Sequence, residues 1–305
     1  MSDSMASLRR KIDSASDLQS VVRTMKAMAA SSIGQYEQSV RALADYYRTI
    51  EQGLGACFRE SGRAIARGGK QTVDEMAGMD TIKVVVFGSD QGLVGQFNDV
   101  IADFALKTLS ALPGKPRVWA VGERVHARLA DAGLPLMGCF AVPNSVKAIA
   151  LLVGQIQIDS EAQQERGENA RFYVFHNRPE AGGLYQPVSQ RLLPLDVQWQ
   201  RNLAGIRWPT SILPEIIGAG ADVGIATLRA LIREYLYISL FRACAESLAS
   251  ENASRLAAME RADKNIDELL ENLHGTFHRL RQTSIDEELF DVISGYESLG
   301  KEKHV

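Results

Sequence analysis

The position of the prolines constrains the fold of this chain more than any other feature of its sequence. All nine prolines lie between Pro113 and Pro214, so the first 112 and the last 91 of the 305 residues contain none. A proline inside a helix removes a hydrogen bond and clashes with the preceding turn, at a cost of about 3 kcal/mol. Two long proline-free ends therefore predict long helices on either side of a mixed domain.

Apolar and small residues recur along the N-terminal end in alternating steps of three and four, from Leu8 to Leu54. Such a narrow stripe is typical of a coiled-coil seam. The pattern predicts a helix from about Met5 to Leu54, ~75 Å long at 1.5 Å per residue. Between Met25 and Ile33 the stripe departs from a strict heptad, which predicts shallow supercoiling there.

A similar stripe runs along the C-terminal end from Leu228 to Leu299 and predicts a helix from about Ala221, ~120 Å long. Small residues between Ala243 and Ala258 would let two backbones approach closely. Helices longer than ~25 residues are rare in compact domains. Each apolar stripe also has to pack against a second helix of similar length. We expect one antiparallel coiled coil of the two ends, with two unrelated bundle helices as the alternative.

The middle of the chain has the pattern of an α/β domain. Ile82–Phe87 is a continuous apolar run, as expected of a strand buried on both faces, and Arg117–Val121 and Arg171–His176 predict further strands. Helical patterns lie between them, which predicts a mostly parallel, Rossmann-like sheet with right-handed crossovers. Glycines between residues 55 and 80 predict a linker. The predicted N-terminal helix, linker, central α/β domain and C-terminal helix span residues 1–57, 58–80, 81–214 and 215–305.

Composition narrows the function classes. Hydrophobic residues make up 46% and charged residues 23%, as in soluble globular proteins, and the net charge of −3 argues against a nucleic-acid partner. Cys57, Cys139 and Cys244 form no paired framework for disulfides or zinc. The first residues lack the apolar core of a signal peptide, and no apolar run approaches the ~20 residues that cross a bilayer. We expect a soluble chain without direct membrane insertion.

Two glycine-containing segments resemble phosphate-binding loops. Gly88, Gly92 and Gly95 follow the first strand, but their spacing is not the G-x-G-x-x-G of dinucleotide sites. A tight structural turn is the favoured interpretation. The segment 68–72 has Gln71 where a P-loop needs Ser or Thr, and no strand precedes it.

A metal site is the third candidate. His274 and His278 lie four residues apart on one predicted helix and could ligate zinc together. Gly275 stands where a metalloprotease helix has Glu, however, and no third ligand is evident. We therefore predict no metal, no cofactor and no catalysis by this chain alone.

Four segments resemble the γ subunit of F-type ATP synthases. The opening helix does so through Leu8–Ile12 and Met25–Ser31. Three later segments are similar to the family's "SDRGLCGGFN", "SEHAARMXAM" and "ARQAXITQEL": these are residues 89–98, 250–259 and 281–289. Departures within these motifs, such as Gln91 and Val94, indicate a divergent, alternate-operon bacterial form.

This resemblance implies a non-catalytic central rotor shaft that couples ion-driven rotation of the c ring to the β catalytic sites. The implied partners are the α and β subunits of an α3β3 hexamer, the ε subunit and the c-subunit ring, at the cytoplasmic face of the bacterial inner membrane. The implied site residues are a contact with the β catch loop, a coupling segment and an apolar bearing in the hexamer. These are, in that order, Arg281, Gln282 and Glu288; Met25 and Lys26; and Leu289, Val292, Ile293, Tyr296 and Leu299.

Two other classes of protein remain open from the sequence. One is an α/β nucleotide-binding enzyme with a coiled-coil dimerisation arm, in which the Gly88 loop would hold the nucleotide. The other is a tethering coiled coil, which would be stable by itself. A shaft with an exposed apolar tail should instead aggregate without its hexamer.

Overall fold

The computed structural model describes residues 5–66, 81–162, 170–212 and 223–301. Within these ranges the chain forms six α-helices and five strands, and the predicted α/β fold with long terminal helices is confirmed. In chain order the elements are α1 Met5–Ala66, β1 Thr81–Phe87, α2 Phe97–Ser110, β2 Lys115–Val121, α3 Glu123–Asp131, β3 Leu136–Phe140, α4 Val146–Ala162, β4 Arg171–Pro179, β5 Tyr185–Leu193, α5 Val197–Gly205 and α6 Val223–Lys301.

The chain divides into two compact units. The terminal unit comprises Met1–Met28 and Leu256–Val305, and the central unit comprises Ala29–Arg255. Helices α1 and α6 therefore contribute to both. This division differs from the predicted boundaries at residues 57 and 215, because long stretches of both helices pack onto the α/β domain.

The five strands form one sheet in the order β3-β2-β1-β4-β5. Strand β1 pairs in parallel with β2 and β4, β2 pairs in parallel with β3, and β5 is antiparallel to β4. All seven residues of β1 are buried, including the polar Thr81 and Lys83. The sheet is therefore mostly parallel, with a central strand covered on both faces.

Alternate residues of β1 point to two different cores. Ile82, Val84 and Val86 pack with residues of α2 and α3 on one face. Val85 and Phe87 pack with residues of α4 and α6 on the other. This period of two is the ordinary geometry of a strand, and it gives the domain three layers, with α6 as part of one outer layer.

The middle of α6 is buried almost all round. Between Ile238 and Asn252 every residue except Arg242 is buried. The small residues here were expected to let the two terminal helices approach each other closely. Instead Ala243, Ala245 and Ala249 belong to the core that covers the sheet, because short side chains let a helix lie close to a strand layer.

Helix α1 is longer than the sequence predicted, since it continues to Ala66 through residues that were expected to begin a linker. Glycine normally disfavours a helix interior by about 1 kcal/mol. At Gly55, however, an added Cβ would lie 2.6 Å from the Leu203 carbonyl oxygen of α5. The glycine permits close packing of two backbones, and that packing supports the helix. Residues 67–80 of the predicted linker lie outside the described ranges.

Three elements were not predicted from the sequence: the edge strands β3 and β5 and the short helix α5. Strand β3 has only five residues, with Gly138 at its centre. Strand β5 contains Pro187, which an edge strand tolerates because one side of its backbone has no neighbour. Both strands are only partly buried, so neither shows the continuous apolar run that identified β1.

Candidate partner-contact surface

The loop after β1 is held by its own side chains. The Ser89 backbone N–H donates to Asn98 Oδ1 at 2.9 Å, and Asn98 Nδ2 donates to Ser89 Oγ at 2.8 Å. Asp90 accepts the Glu123 N–H at 3.0 Å with one carboxylate oxygen and the Val142 N–H at 2.8 Å with the other. The carboxylate of Asp90 thus caps the N-terminus of α3 and ties the loop to the segment after β3. This geometry matches a structural turn.

The same loop docks on α6. Ser254 Oγ donates to the Val94 carbonyl oxygen at 2.5 Å, and Ser250 Oγ donates to the Asn177 carbonyl oxygen at 3.0 Å. Asn177 Nδ2 in turn donates to the Phe97 carbonyl oxygen at 3.0 Å. The structure therefore brings together two of the segments singled out in the sequence, 89–98 and 250–259, through a third residue on β4 that no pattern indicated.

Glu246 is a buried carboxylate that the sequence analysis missed. His176 Nε2 lies 2.7 Å and Arg178 Nε 3.2 Å from its Oε2, while Arg242 Nε lies 2.7 Å from its Oε1. Burial alone would raise the pKa of Glu246, but hydrogen bonds from His176 and Arg242 lower it to about 2. Burial lowers the pKa of His176 despite that bond. The signal for this buried carboxylate in the sequence was a glutamate inside a run of small and apolar residues.

A second buried ion pair lies one turn further along α6. Arg255 Nη2 donates to Glu251 Oε1 at 2.6 Å, and both side chains are buried or nearly so. Burial raises the pKa of Glu251, and Arg255 opposes that rise. This pair of the 250–259 segment joins two successive turns of α6, and its side chains point into the protein rather than into solvent.

In the terminal unit, α1 and α6 pair in antiparallel fashion. Arg23 Nε lies 3.1 Å from Asp263 Oδ1, and Lys26 Nζ lies 3.8 Å from Glu260 Oε1. Gln19 Nε2 also donates to Asp267. In each of these three pairs the residue numbers add to 286. Residues nearer the N-terminus of α1 therefore pair with residues nearer the C-terminus of α6. The predicted antiparallel coiled coil is confirmed.

Burial along α1 repeats every seven residues, at Leu8, Ala15, Val22, Ala29 and Tyr36. The seam predicted to be irregular between Met25 and Ile33 thus keeps its heptad position at Ala29. A polar residue, Gln19, is also buried in the seam. Its bond to Asp267 satisfies the amide and fixes which residues of α6 stand opposite.

Helix α6 extends beyond the described part of α1. The pairing register places Met5 opposite Arg281. From Ile285 to Gly295 every residue of α6 is exposed. Large apolar side chains are among them, with Leu289 57% and Val292 69% exposed. A helix that exposes such apolar residues to water presents a surface that favours contact with another molecule.

The predicted contact residues share one side of this extension. At ~100° per residue, they fall within an arc of about 140° of the helix. Those whose side chains are described and exposed are Arg281, Gln282, Glu288, Leu289, Val292 and Ile293, and Ile285 joins them. We call these seven residues the tip face. Tyr296 and Leu299 belong to α6, but their side chains lie outside the described part of the chain.

The two predicted coupling residues are placed differently. Met25 and Lys26 are half-buried, and Lys26 pairs with Glu260 of the same chain. An exposed pair at this distance contributes between 0 and about 1 kcal/mol. Lys26 is therefore held only weakly.

The remaining sequence candidates do not gather into a site. His274 and His278 are both exposed on α6. The segment 68–72 lies outside the described residues. Among the helices in the described ranges, none is both long and apolar enough to span a membrane.

Comparison with known proteins identifies the family to which a chain of this fold belongs. The family model for ATP synthase matches residues 4–299, so the chain belongs to the ATP synthase family. The curated relatives are ATP synthase gamma chains. That of Sorangium cellulosum is 27% identical over 97% of this chain and 99% of its own, and that of Anaeromyxobacter is 24% identical over the same shares.

Solved structures share the fold. A chain in the Euglena gracilis mitochondrial ATP synthase OSCP/F1/c-ring structure has a TM-score of 0.60 at 15% identity, covering 99% of this chain and 96% of its own. A chain in the Tetrahymena thermophila central stalk/c-ring structure has a TM-score of 0.54 at 21% identity, covering 79% and 99%. The likeness is in architecture, since the sequences have diverged widely.

Proposed function

We propose that this gamma chain works as the shaft of a rotary ATP synthase and that the tip face is the part that contacts its hexamer. The chain is a non-catalytic subunit. Its role is to couple rotation of the c ring to conformational change at the β catalytic sites, in the direction of synthesis or of hydrolysis. The tip face carries this proposal, because it is an exposed apolar surface on a helix extension without a described partner.

Three chemically identical β sites must differ in conformation at one moment. A contact shifts such an equilibrium only by its differential energy with the two states. A shaft with a single tip face touches each β subunit differently, so its angle selects which site is open. Coupling free energies are reciprocal, and hydrolysis at the sites therefore turns the same shaft.

Arg281, Gln282 and Glu288 are the polar members of the tip face, and we assign them to the β catch loop. Arginine offers a planar fork of five donors, which suits backbone carbonyls or carboxylates. Arg281 is exposed and stands opposite the described start of α1. It is therefore available to a neighbouring subunit.

The apolar members of the tip face suit a bearing. Apolar contact is non-directional, so it holds a turning helix without the angular preference of a hydrogen bond. We assign Leu289, Val292 and Ile293 to this role, with Tyr296 and Leu299 as its continuation along the sequence. Met25 and Lys26 are proposed as a coupling segment, in which the weak Lys26–Glu260 pair can exchange for a contact with β.

The α/β domain is the part we assign to the ε subunit and the c ring. Membrane association is then peripheral, through the ring. Because the curated relatives include bacterial gamma chains, we place the complex at the cytoplasmic face of the bacterial inner membrane.

The test is ATP hydrolysis by the complex assembled from α, β and this chain. Arg281→Ala should lower turnover several-fold, because a β contact is lost. Lys26→Ala should lower it less. Arg279→Ala is the matched control, since Arg279 is also exposed on α6 but points about 160° away from Arg281.

Equal, negligible effects of Arg281→Ala and Arg279→Ala would remove the catch-loop assignment. The shaft role fails at a more basic level if the α and β subunits hydrolyse ATP with unchanged angular stepping when this chain is omitted.

A further inference from the structure

A row of polar side chains follows one line along α6. Glu246, Ser250 and Ser254 are spaced by four residues, so each stands about 40° from the previous one and all face the same side of the helix. Each bonds to the α/β domain of the central unit, and each does so at a different point along the helix. We call these three residues the polar row.

The bonds of the polar row reach β4 and the loop after β1. Glu246 bonds to His176 and Arg178 of β4, at 2.7 and 3.2 Å. Ser250 Oγ donates to the carbonyl oxygen of a β4 residue at 3.0 Å, and Ser254 Oγ donates to a carbonyl oxygen of the loop at 2.5 Å. The three contacts span eight residues of helix, ~12 Å at 1.5 Å per residue.

These bonds lie within a largely apolar part of the contact between α6 and the domain. Around them the helix presents apolar residues such as Leu240, Cys244 and Leu248 to the sheet. Apolar packing is non-directional, whereas a hydrogen bond weakens steeply when its angle or length changes. A turn of α6 about its own axis, or a slide by one residue, would break the whole polar row at once.

Ser247 shows that not every hydroxyl group on this helix bonds to the α/β domain. It is next to Glu246 and 2% exposed. Its Oγ has no hydrogen-bond partner among the described residues. The chain thus contains a serine that is as deeply buried as Ser250 but lies outside the polar row.

We infer that the polar row fixes the angle of α6 against the α/β domain, so that rotation of the domain is passed to the shaft without slip. This inference rests on the proposed function, because a fixed angle matters only if torque enters through the domain. Glu246, Ser250 and Ser254 are positioning residues, because each acts through the residue of the domain to which it bonds. The hydrogen bonds of the polar row are directional, whereas the apolar contacts proposed for the tip face are not.

The experiment measures torsional stiffness in the assembled complex. Cys139 is exposed while Cys57 and Cys244 are buried, so a bead can be attached to Cys139 on the edge strand of the domain. With cysteine-free α and β subunits fixed to a surface, the angular variance of the bead during catalytic pauses reports how firmly the domain holds the shaft. The variants are Ser250→Ala with Ser254→Ala, and Ser247→Ala as the matched control.

The double variant should at least double the angular variance and lower the number of ions pumped per ATP hydrolysed. Ser247→Ala should leave both unchanged. All three serines become alanine, so a general loss of packing would affect the control as well. Unchanged variance and unchanged pumping ratio in the double variant would overturn the inference.

Failure of the proposed function gives a different result. If this chain were not the shaft, the bead on the unmodified complex would not turn with ATP at all. If the chain is the shaft but the polar row does not fix it, the unmodified complex rotates and the double variant is as stiff as Ser247→Ala.

Discussion

Glu246 illustrates how a charge is tolerated inside this protein. Removing a carboxylate from water costs several kcal/mol unless strong partners replace the solvent. Here a buried histidine and two arginines surround one carboxylate, and both of its oxygens are bonded. A carboxylate only accepts, so the proton of the His176 ring lies on Nε2, and its Nδ1 has no partner among the described residues. The bond between Glu246 and His176 can form in only one arrangement of β4 on α6.

We expect Glu246→Gln to lower the free energy of unfolding of the full chain by about 3 kcal/mol, since one partner of a buried ion pair is lost. Glu268→Gln, at an exposed position of the same helix, should change it by less than about 0.5 kcal/mol. Urea unfolding at low protein concentration measures both. Equal effects of the two substitutions would show that the buried network does not stabilise the fold.

The same network predicts a dependence on pH. The pKa of Glu246 is lowered to about 2 and that of His176 is lowered by burial. The unfolded chain therefore binds more protons than the folded one at mildly acid pH, and stability falls as the pH falls. The contribution of Glu246 is complete above pH 4.5 and is lost toward pH 2. In Glu246→Gln that part of the acid sensitivity should disappear from a series of unfolding curves.

At the scale of elements, α1 shows that a glycine has opposite effects in different surroundings. Gly34 and Gly55 lie in the same helix. An added Cβ would meet nothing within 4 Å at Gly34, but would lie 2.6 Å from a backbone oxygen at Gly55. The first glycine only adds conformational entropy to the unfolded chain. The second makes room for α5.

Alanine at these two positions should therefore have opposite effects. Gly34→Ala should stabilise the chain by about 0.5–1 kcal/mol through helix propensity and reduced unfolded-state entropy. Gly55→Ala should destabilise it by about 1–3 kcal/mol, because α5 must move. Thermal unfolding of the two variants beside the unmodified chain tests this. A stabilising Gly55→Ala would mean that α5 does not pack on α1.

At the scale of the whole molecule, the exposed tip face sets how the chain behaves alone. Ile285, Leu289, Val292 and Ile293 are all at least 46% exposed. Contiguous apolar surface of this kind favours association with any complementary surface. A chain that is stable within its hexamer should therefore be poorly soluble outside it.

We expect the isolated chain to self-associate as its concentration rises, and to be returned to a single complex by added α and β subunits. Changing Leu289, Val292 and Ile293 together to serine should suppress this association. The control is a double change to serine at Leu151 and Ile158, which are 78% and 67% exposed on α4. Light scattering against concentration is the measurement. Suppression by the α4 control and not by the tip variant would place the associating surface on the domain.

Periodicity was enough to predict several elements of this fold. The distribution of proline and the recurrence of apolar residues predicted α1 and α6, and a mostly apolar run predicted β1. These are local properties, since helix and strand geometry follow from residues within a few positions of each other. The contact residues at the tip of α6 were indicated instead by the resemblance to the γ-subunit family.

The sequence by itself thus determined the helical arms, the central strand and the apolar side of the tip. Only the tertiary structure decided that Gly55 lies inside a helix, that Glu246 has His176 as a partner, and that the polar row bonds to β4 and its neighbouring loop. These contacts join residues 70 to 160 positions apart in the chain. Their energy depends on distance and angle in space, and no local pattern of residue types contains that information.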